Sequence, residues 1–180
     1  MYTLSEIAAL SRLAHDKGIY LHIDGTRLAN AVAALGCTPK QMLVDTGVDV
    51  LSFGGTKNGM MLGEAVVFFN PELSADAKYQ RKQLMQLSSK MRFVSAQFDA
   101  YLTDGLWIAN AAHANAMASY LHEKLQEVAG VRILQKVEAN SVFVAIPREA
   151  VTKLKAEGYY FNVKDGDQCQ VRWVCSFDTT

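Results

Sequence analysis

The chain has 180 residues, of which half are apolar and a fifth are charged, as is usual for a globular protein of one medium domain or one and a half small ones. The formal net charge is zero, so nothing in the composition favours nucleic acid or an anionic membrane as a partner. A small molecule or another subunit is the expected partner.

The chain begins with a helix signal followed by a strand signal. Thr3 and Glu6 form the pattern of a capping box, and Gly18 ends an apolar repeat of helical spacing. The run Y-L-H-I-D then predicts a short buried strand that ends at Asp24. A small alanine-rich helix is expected over 27–35.

Two further strands are predicted after a second helix. Thr38 and Pro39 begin that helix as N-cap and first helical residue, and Gly47 ends it. The strand V-D-V-L-S-F follows, then a glycine-rich loop, G-G-T-K-N-G-M-M-L-G, and then the strand E-A-V-V-F-F. Strand, helix and strand with short links predict an α/β domain with a mainly parallel sheet.

The rest of the chain is expected to be helical and then mixed. Helix is predicted from Pro71 to about Gly130, with breaks near 88–89 and 104–105. The runs V-R-I-L-Q, S-V-F-V-A-I and Q-V-R-W-V-C-S then predict three strands, with a helix between the second and the third. We read this tail as a small α+β unit and divide the chain into domains 1–112 and 113–180. No apolar run reaches the roughly 18 residues that a membrane helix needs.

The three cysteines are Cys37, Cys169 and Cys175. They are too few and too unevenly spaced for a zinc site or a disulfide framework, so we expect unpaired, buried thiols and no bound metal. Reduced cysteines fit a cytoplasmic location.

Asp24 and Lys57 each follow a predicted strand. Ligands of open α/β sheets bind beyond the carboxyl ends of the strands, so a carboxylate and an amine are expected at one sheet edge. Gly54, Gly55 and Gly59 would let the backbone approach a ligand closely. An aspartate that only forms a turn and a lysine that is only a surface charge remain the alternatives. The loop lacks the spacing of a phosphate-binding P-loop.

The surrounding motifs carry a resemblance that covers essentially the whole chain. The segments L-H-I-D-G-T-R-L-A-N-A and V-D-V-L-S-F-G-G-T-K-N-G-M, then G-E-A-V-V-F-F, S-K-M-R-F and R-W-V-C-S-F-D-T, closely resemble the low-specificity threonine aldolases. These are pyridoxal-phosphate-dependent enzymes of fold type I, in the aromatic amino acid beta-eliminating lyase/threonine aldolase family. The resemblance implies the C-terminal half of a large cofactor domain, 1–112, and an incomplete small domain, 113–180.

The resemblance also implies roles for five residues. Lys57 would form the Schiff base with the cofactor aldehyde. Asp24 would bond the protonated pyridine nitrogen, which makes the ring an electron sink. Arg27 would lie near the phenolic oxygen and the substrate carboxylate, and Arg172 would bind that carboxylate from the small domain. Arg92 would reach the cofactor phosphate of a neighbouring subunit. An ordinary strand arginine and an ordinary helix-surface cation are the alternatives for Arg172 and Arg92.

The histidines are expected to be mainly structural. His22 lies in the first strand, and His113 and His122 lie on helices. His22 stands close to Asp24 in sequence, so a supporting role beside Asp24 remains open.

The implied reaction splits L-threonine or L-allo-threonine, a small β-hydroxy-α-amino acid, between Cα and Cβ to give glycine and acetaldehyde. The resemblance further implies a homodimer or homotetramer of the full-length enzyme. Complete members carry a long segment before Met1 that grips the cofactor phosphate, stacks a histidine on the ring and holds the general base or its water. The alternatives are a related β-eliminating or aminotransferase reaction, and an inactive fragment that acts only in assembly.

Overall fold

The computed structural model of the chain describes residues 1–164, 166 and 168–180. The chain divides into two compact units, Met1–Asn110 and Ala111–Thr180.

The first unit alternates helices and strands before a helical stretch. Its elements are, in order, α1 (Leu4–Asp16), β1 (His22–Gly25), α2 (Leu28–Leu35), a π-helical turn (Lys40–Val44), β2 (Val50–Gly54), a 3-10 turn (Thr56–Asn58), β3 (Glu64–Phe68), a 3-10 turn (Pro71–Ser74), α3 (Ala77–Gln83), α4 (Arg92–Leu102), a 3-10 turn (Thr103–Gly105) and the start of α5 (Leu106–Gln126). The predicted α/β class is confirmed.

The three strands of this unit form a mixed sheet of order β1-β2-β3. β1 and β2 pair in parallel, with Asp24 opposite Ser52, whereas β2 and β3 pair antiparallel, with Ser52 opposite Val66. In a sheet that the sequence predicts to be mainly parallel, β3 is thus the antiparallel strand. The loop over 55–63 is shorter than the dozen or more residues that a parallel crossover requires, so β3 returns beside β2 in the opposite direction.

Local sequence explains where α1 begins. The Thr3 side chain accepts a hydrogen bond from the Glu6 N–H, and the Glu6 carboxylate accepts one from the Thr3 N–H at 2.7 Å, as the capping box predicts. The helix buries Ile7, Ser11 and Ala14 against the rest of the unit. Leu10 and Leu13, which belong to the same apolar repeat, are exposed, because they lie beside the buried face.

Both predicted breaks in the helical stretch are present. The segment between α3 and α4 contains Ser88 and Ser89. Asp104 and Gly105 have φ angles of 51° and 73°, in the left-handed region that no α-helix can contain.

The core of the first unit includes an aromatic group that touches both β2 and the helices. The ring of Phe53 lies 5.7 Å from that of Trp107 and 6.2 Å from those of Phe98 and Tyr101. These contacts fix the carboxyl end of β2 against α4 and the start of α5.

The second unit contains the rest of α5, then β4 (Arg132–Ile133), β5 (Ser141–Ile146), α6 (Arg148–Ala156), β6 (Val163–Lys164) and β7 (Cys169–Val174). Its antiparallel sheet has the order β4-β5-β7-β6. The three predicted strands are present, and the two-residue β6 was not predicted. Buried Cys169 and Val171 alternate with exposed Gln170 and Arg172 along β7, as one buried face requires.

The cysteines are unpaired thiols, and Cys169 and Cys175 are buried whereas Cys37 is half-buried. Burial raises the pKa of the Cys175 thiol. Among the described residues, no cluster of histidine, cysteine or carboxylate side chains is arranged to hold a metal ion. Across the same residues, no helix combines the length and the apolar character needed to cross a membrane.

Candidate functional site

Asp24 lies on an exposed strand end where its charge is stabilised. Its Oδ1 accepts a hydrogen bond from the Thr26 N–H at 3.1 Å. The backbone and side chain of Thr26 hold the pKa of Asp24 below its ordinary value, and the charges of Lys57 and His22 lower it further. Asp24 is therefore an ionised carboxylate at neutral pH.

The turn after β1 lies directly against the end of β2. A Cβ atom added to Gly54 would lie 2.6 Å from the Cα of Thr26 and 2.7 Å from its carbonyl oxygen. Only glycine permits this approach of two backbones. The turn that holds Asp24 and the loop that holds Lys57 are thus neighbours at one edge of the sheet, as the sequence predicted.

Lys57 occupies the middle of the 3-10 turn Thr56–Asn58 and is exposed. Gly59 ends this turn with a φ of 116°, a conformation that residues with a side chain rarely adopt. The N–H groups of Asn58 and Met60 both donate to the carbonyl of Gly55, at 3.1 and 3.2 Å. These bonds fix the backbone on the C-terminal side of Lys57, and the residue itself is exposed.

The residue before Lys57 joins the two ends of the loop. The hydroxyl of Thr56 lies 3.3 Å from the Gly63 carbonyl and accepts from the Gly63 N–H at 3.1 Å. The Thr56 N–H donates to the Glu64 carboxylate at 3.3 Å. The loop between β2 and β3 is therefore closed by its own polar groups.

The residue after Lys57 connects the turn to the helices. Asn58 is only 4% exposed, and its amide donates to the Tyr101 hydroxyl at 2.6 Å and to the Trp107 carbonyl at 2.7 Å. The amide of Asn110 donates to the Asn58 carbonyl at 2.9 Å. Burial raises the pKa of the Tyr101 phenol, so it stays protonated and neutral.

A cavity of about 620 Å³ lies beside β1. Its lining includes the polar residues His22, Asp24, Thr26 and Arg27, and apolar side chains supply most of the remainder. Arg27 stands at the N-cap position of α2 and is half-buried. The structure therefore brings Arg27 to the same cavity as Asp24.

His22 lies on the same face of the sheet as Asp24, two residues earlier along β1. Its Nε2 is 2.9 Å from the hydroxyl of Ser52, the residue that pairs with Asp24 across the strands. His113 and His122 lie in the second unit, where His113 bonds the Thr179 carbonyl at 2.7 Å and His122 contacts Gln126.

Arg172 and Arg92 have separate surroundings. Arg172, on β7 of the second unit, is exposed, donates to the Ser141 hydroxyl at 3.2 Å and lies 5.7 Å from the centre of the Phe143 ring. It lines a cavity of about 400 Å³ within that unit. Arg92 is the exposed first residue of α4, and its guanidinium lies 4.8 Å from the centre of the Phe93 ring.

The sequence reasoning missed Thr56, Asn58 and Ser52. Thr56 and Asn58 flank Lys57 in a loop in which polar residues and glycines predict only a turn. The single available signal was an amide residue directly beside the candidate lysine. The hydrogen-bond partners of the Asn58 amide lie 43 and 49 residues further along the chain, so no local sequence pattern identifies them.

Comparison with known proteins gives a consistent assignment. The model of the beta-eliminating lyase family matches residues 1–149. Low specificity L-threonine aldolases from Pseudomonas sp. (strain NCIMB 10558) and Pseudomonas aeruginosa are each 44% identical over 179 residues, which are 99% of this chain and 51% of each relative. The threonine aldolase of Leishmania major has a similar structure, with a TM-score of 0.91 and 27% identity over 100% of this chain and 53% of that one.

The chain thus spans about half the length of the curated relatives that it matches. These matches confirm the resemblance to low-specificity threonine aldolases that the motifs around Asp24 and Lys57 indicate. Since the family model covers more than four-fifths of its length, the chain belongs to the beta-eliminating lyase family.

Proposed function

We propose that this chain is the part of a pyridoxal-phosphate-dependent carbon–carbon lyase that holds the covalent anchor of the cofactor. The whole enzyme would cleave L-threonine and L-allo-threonine between Cα and Cβ to glycine and acetaldehyde. The observation that carries the proposal is the contact between the two turns at one sheet edge, one with ionised Asp24 and the other with exposed Lys57.

The residues at this edge fit the cofactor. A protonated pyridine nitrogen needs an ionised carboxylate as its acceptor, and Thr26 keeps Asp24 in that form. An aldehyde needs an amine that solvent and ligand can reach, and Lys57 is exposed on a backbone that is closed by hydrogen bonds. Arg27, beside the same cavity, supplies a permanent positive charge for the phenolic oxygen.

The roles of the side chains follow from their chemistry. Lys57 would hold the cofactor covalently, and Asp24 would hold its ring nitrogen. Arg172 would bind the substrate carboxylate, because a guanidinium matches a carboxylate with two parallel N–H groups and the Ser141 hydroxyl takes only one bond from it. When bound, pyridoxal phosphate supplies an electron sink for the negative charge left on Cα after the Cα–Cβ bond breaks.

The organisation of the whole enzyme is also a proposal. Residues 1–112 would complete a large cofactor domain and residues 113–180 would form most of a small one. A homodimer or homotetramer, in which Arg92 reaches the cofactor phosphate of a neighbour, is supported by large apolar side chains exposed on the first unit: Met61, Leu62, Leu84, Met85 and Phe93. The unpaired thiols support a cytoplasmic location.

The test compares three proteins: the whole enzyme that contains this chain, its Lys57→Ala variant and the matched control Lys17→Ala, which removes another exposed lysine of the same unit. Each is incubated with pyridoxal phosphate and then with L-threonine or L-allo-threonine. Acetaldehyde is followed with a coupled dehydrogenase, and keto acid is measured in a parallel assay.

The whole enzyme and its Lys17→Ala variant should each release acetaldehyde and glycine in equal molar amounts, and the Lys57→Ala variant should release none. Formation of keto acid in place of acetaldehyde would replace the aldolase reaction with an elimination or a transamination. Equal acetaldehyde from Lys57→Ala would remove Lys57 from the proposal.

A further inference from the structure

We propose that Asn58 is the positioning residue of Lys57, because its buried amide fastens the lysine turn to α4 and α5. The inference rests on the proposed function, in which Lys57 is the anchor of the cofactor. Asn58 itself touches neither cofactor nor substrate in this proposal.

The amide of Asn58 has the number of donors that its surroundings require. A carboxamide carries two N–H donors on one nitrogen. One donates to the Tyr101 hydroxyl at the end of α4, and the other donates to the Trp107 carbonyl at the start of α5. Aspartate has the same shape but no donor when ionised, and serine has a single donor. Neither aspartate nor serine could therefore donate both of the bonds that join the turn to the two helices.

The backbone of Asn58 is held as firmly as its side chain. Its N–H donates to the Gly55 carbonyl at 3.1 Å and its carbonyl accepts from the Asn110 amide at 2.9 Å. The peptide that follows Lys57 is therefore fixed within the loop and against α5. Lys57 is left with one mobile part, its own side chain.

Burial makes this arrangement difficult to replace with water. Asn58 is 4% exposed and Tyr101 is 3% exposed, and the Tyr101 ring belongs to the aromatic group around Phe53. When a buried polar group loses its hydrogen-bond partner, the folded conformation in which it stays buried becomes less stable. Loss of the Asn58 amide should thus release the turn from the helices and let the Lys57 amine occupy many positions.

The variants separate this role from general stability. Asn58→Asp and Asn58→Ser remove one or both donors, and Tyr101→Phe removes one acceptor while keeping the ring. Val48→Ala is the matched control. Val48 belongs to the same core, so the substitution lowers stability, and none of the described hydrogen bonds joins Val48 to the loop. All are compared at a temperature at which circular dichroism indicates that they are folded.

Two measurements are made on each protein without substrate. Hydrogen exchange reports the N–H groups of Asn58 and Met60, which close the turn. Pyridoxal phosphate with borohydride then labels the lysines, and mass spectrometry gives the ratio of label on Lys57 to label on Lys17. In this labelling the amine adds to the aldehyde, water leaves, and hydride reduces the C=N bond to a secondary amine.

We expect exchange of the turn to accelerate roughly tenfold or more in Asn58→Asp, which loses both hydrogen bonds of the amide, and by less in Asn58→Ser, which keeps one donor. In the Asn58 variants, the ratio of Lys57 label to Lys17 label should fall several-fold. Tyr101→Phe should give a labelling ratio between those of the Asn58 variants and that of the unaltered chain. Val48→Ala should keep both values.

Three outcomes would count against the inference in different ways. Unchanged exchange in the Asn58 variants would mean that the amide does not hold the turn. Faster exchange with an unchanged labelling ratio would mean that the turn does not position Lys57. An unaltered chain that labels Lys57 no faster than Lys17 would instead remove the proposed role of Lys57, on which the inference rests.

Discussion

Gly54→Ala tests the contact between the two turns of the candidate site. In the structure, the added methyl carbon would lie 2.6 Å from the Cα, 2.7 Å from the carbonyl oxygen and 2.9 Å from the carbonyl carbon of Thr26. All three atoms are backbone, so no side-chain rotation relieves the overlap. Carbon atoms pack at roughly 3.5–4.0 Å, and the turns must therefore separate by about 1 Å.

The cost follows from two opposing effects. Overpacking of this kind destabilises the folded state by about 1–3 kcal/mol. Replacing glycine by alanine in a strand returns about 0.5–1 kcal/mol, because the unfolded chain loses freedom. The difference is a net loss of about 1 kcal/mol, within a range of about 0–2.5 kcal/mol, in the free energy of unfolding, together with a displacement of Asp24 away from the Lys57 loop.

Urea unfolding measures the first effect, and covalent capture of pyridoxal phosphate at Lys57 measures the second. Gly36→Ala is the control: its φ of 61° strains an added side chain, but nothing lies within 4 Å of the new methyl group. The control should lose stability by a similar amount, about 1 kcal/mol or somewhat more, and keep capture. Gly54→Ala with unaltered stability and unaltered capture would refute the contact between the turns.

Three other predictions concern single contacts. His15→Ala should lower the free energy of unfolding by about 1 kcal/mol, because half-exposed His15 contacts buried Asp49 at 2.8 Å. Burial opposes ionisation of Asp49, but the bonds from His15 and the Leu21 N–H outweigh burial and lower the pKa of Asp49. The free energy of unfolding should therefore fall as the pH drops from about 4 through that lowered pKa. An equally steep fall in Asp49→Asn would contradict this explanation. Asn140→Ala should cost about 1–3 kcal/mol in thermal unfolding, since it leaves the buried Cys175 carbonyl without the amide that donates to it at 2.8 Å. Exposed Arg172→Ala should change unfolding by less than about 0.5 kcal/mol and weaken amino-acid binding at least tenfold in calorimetry; unchanged binding would remove its proposed role.

The sequence predicts those features that depend on near neighbours. The capping box of Thr3 and Glu6 begins α1, and Asp104 and Gly105 interrupt the helical stretch between α4 and α5, because each signal lies within one turn of the structure that it makes. Asp24 and Lys57 were found because the ends of parallel neighbouring strands meet at one edge.

Features that depend on distant partners were not predictable. Asn58 reads as an ordinary turn residue until Tyr101 and Trp107 fold against it. Gly54 reads as a flexible glycine, although its function in the structure is to admit the Thr26 backbone. Strand β6 has only two residues, which are too few for an alternating pattern. It forms because its backbone pairs with the edge of β7.

The central claim is that Lys57 anchors the cofactor beside Asp24. Its most direct test is to treat the chain with pyridoxal phosphate and borohydride and to identify the modified lysine by peptide mass spectrometry. We predict a single dominant adduct on Lys57, which weakens in Asp24→Asn because the ring nitrogen loses its charged acceptor. Adducts spread evenly over the exposed lysines, or a dominant adduct elsewhere, would contradict the claim.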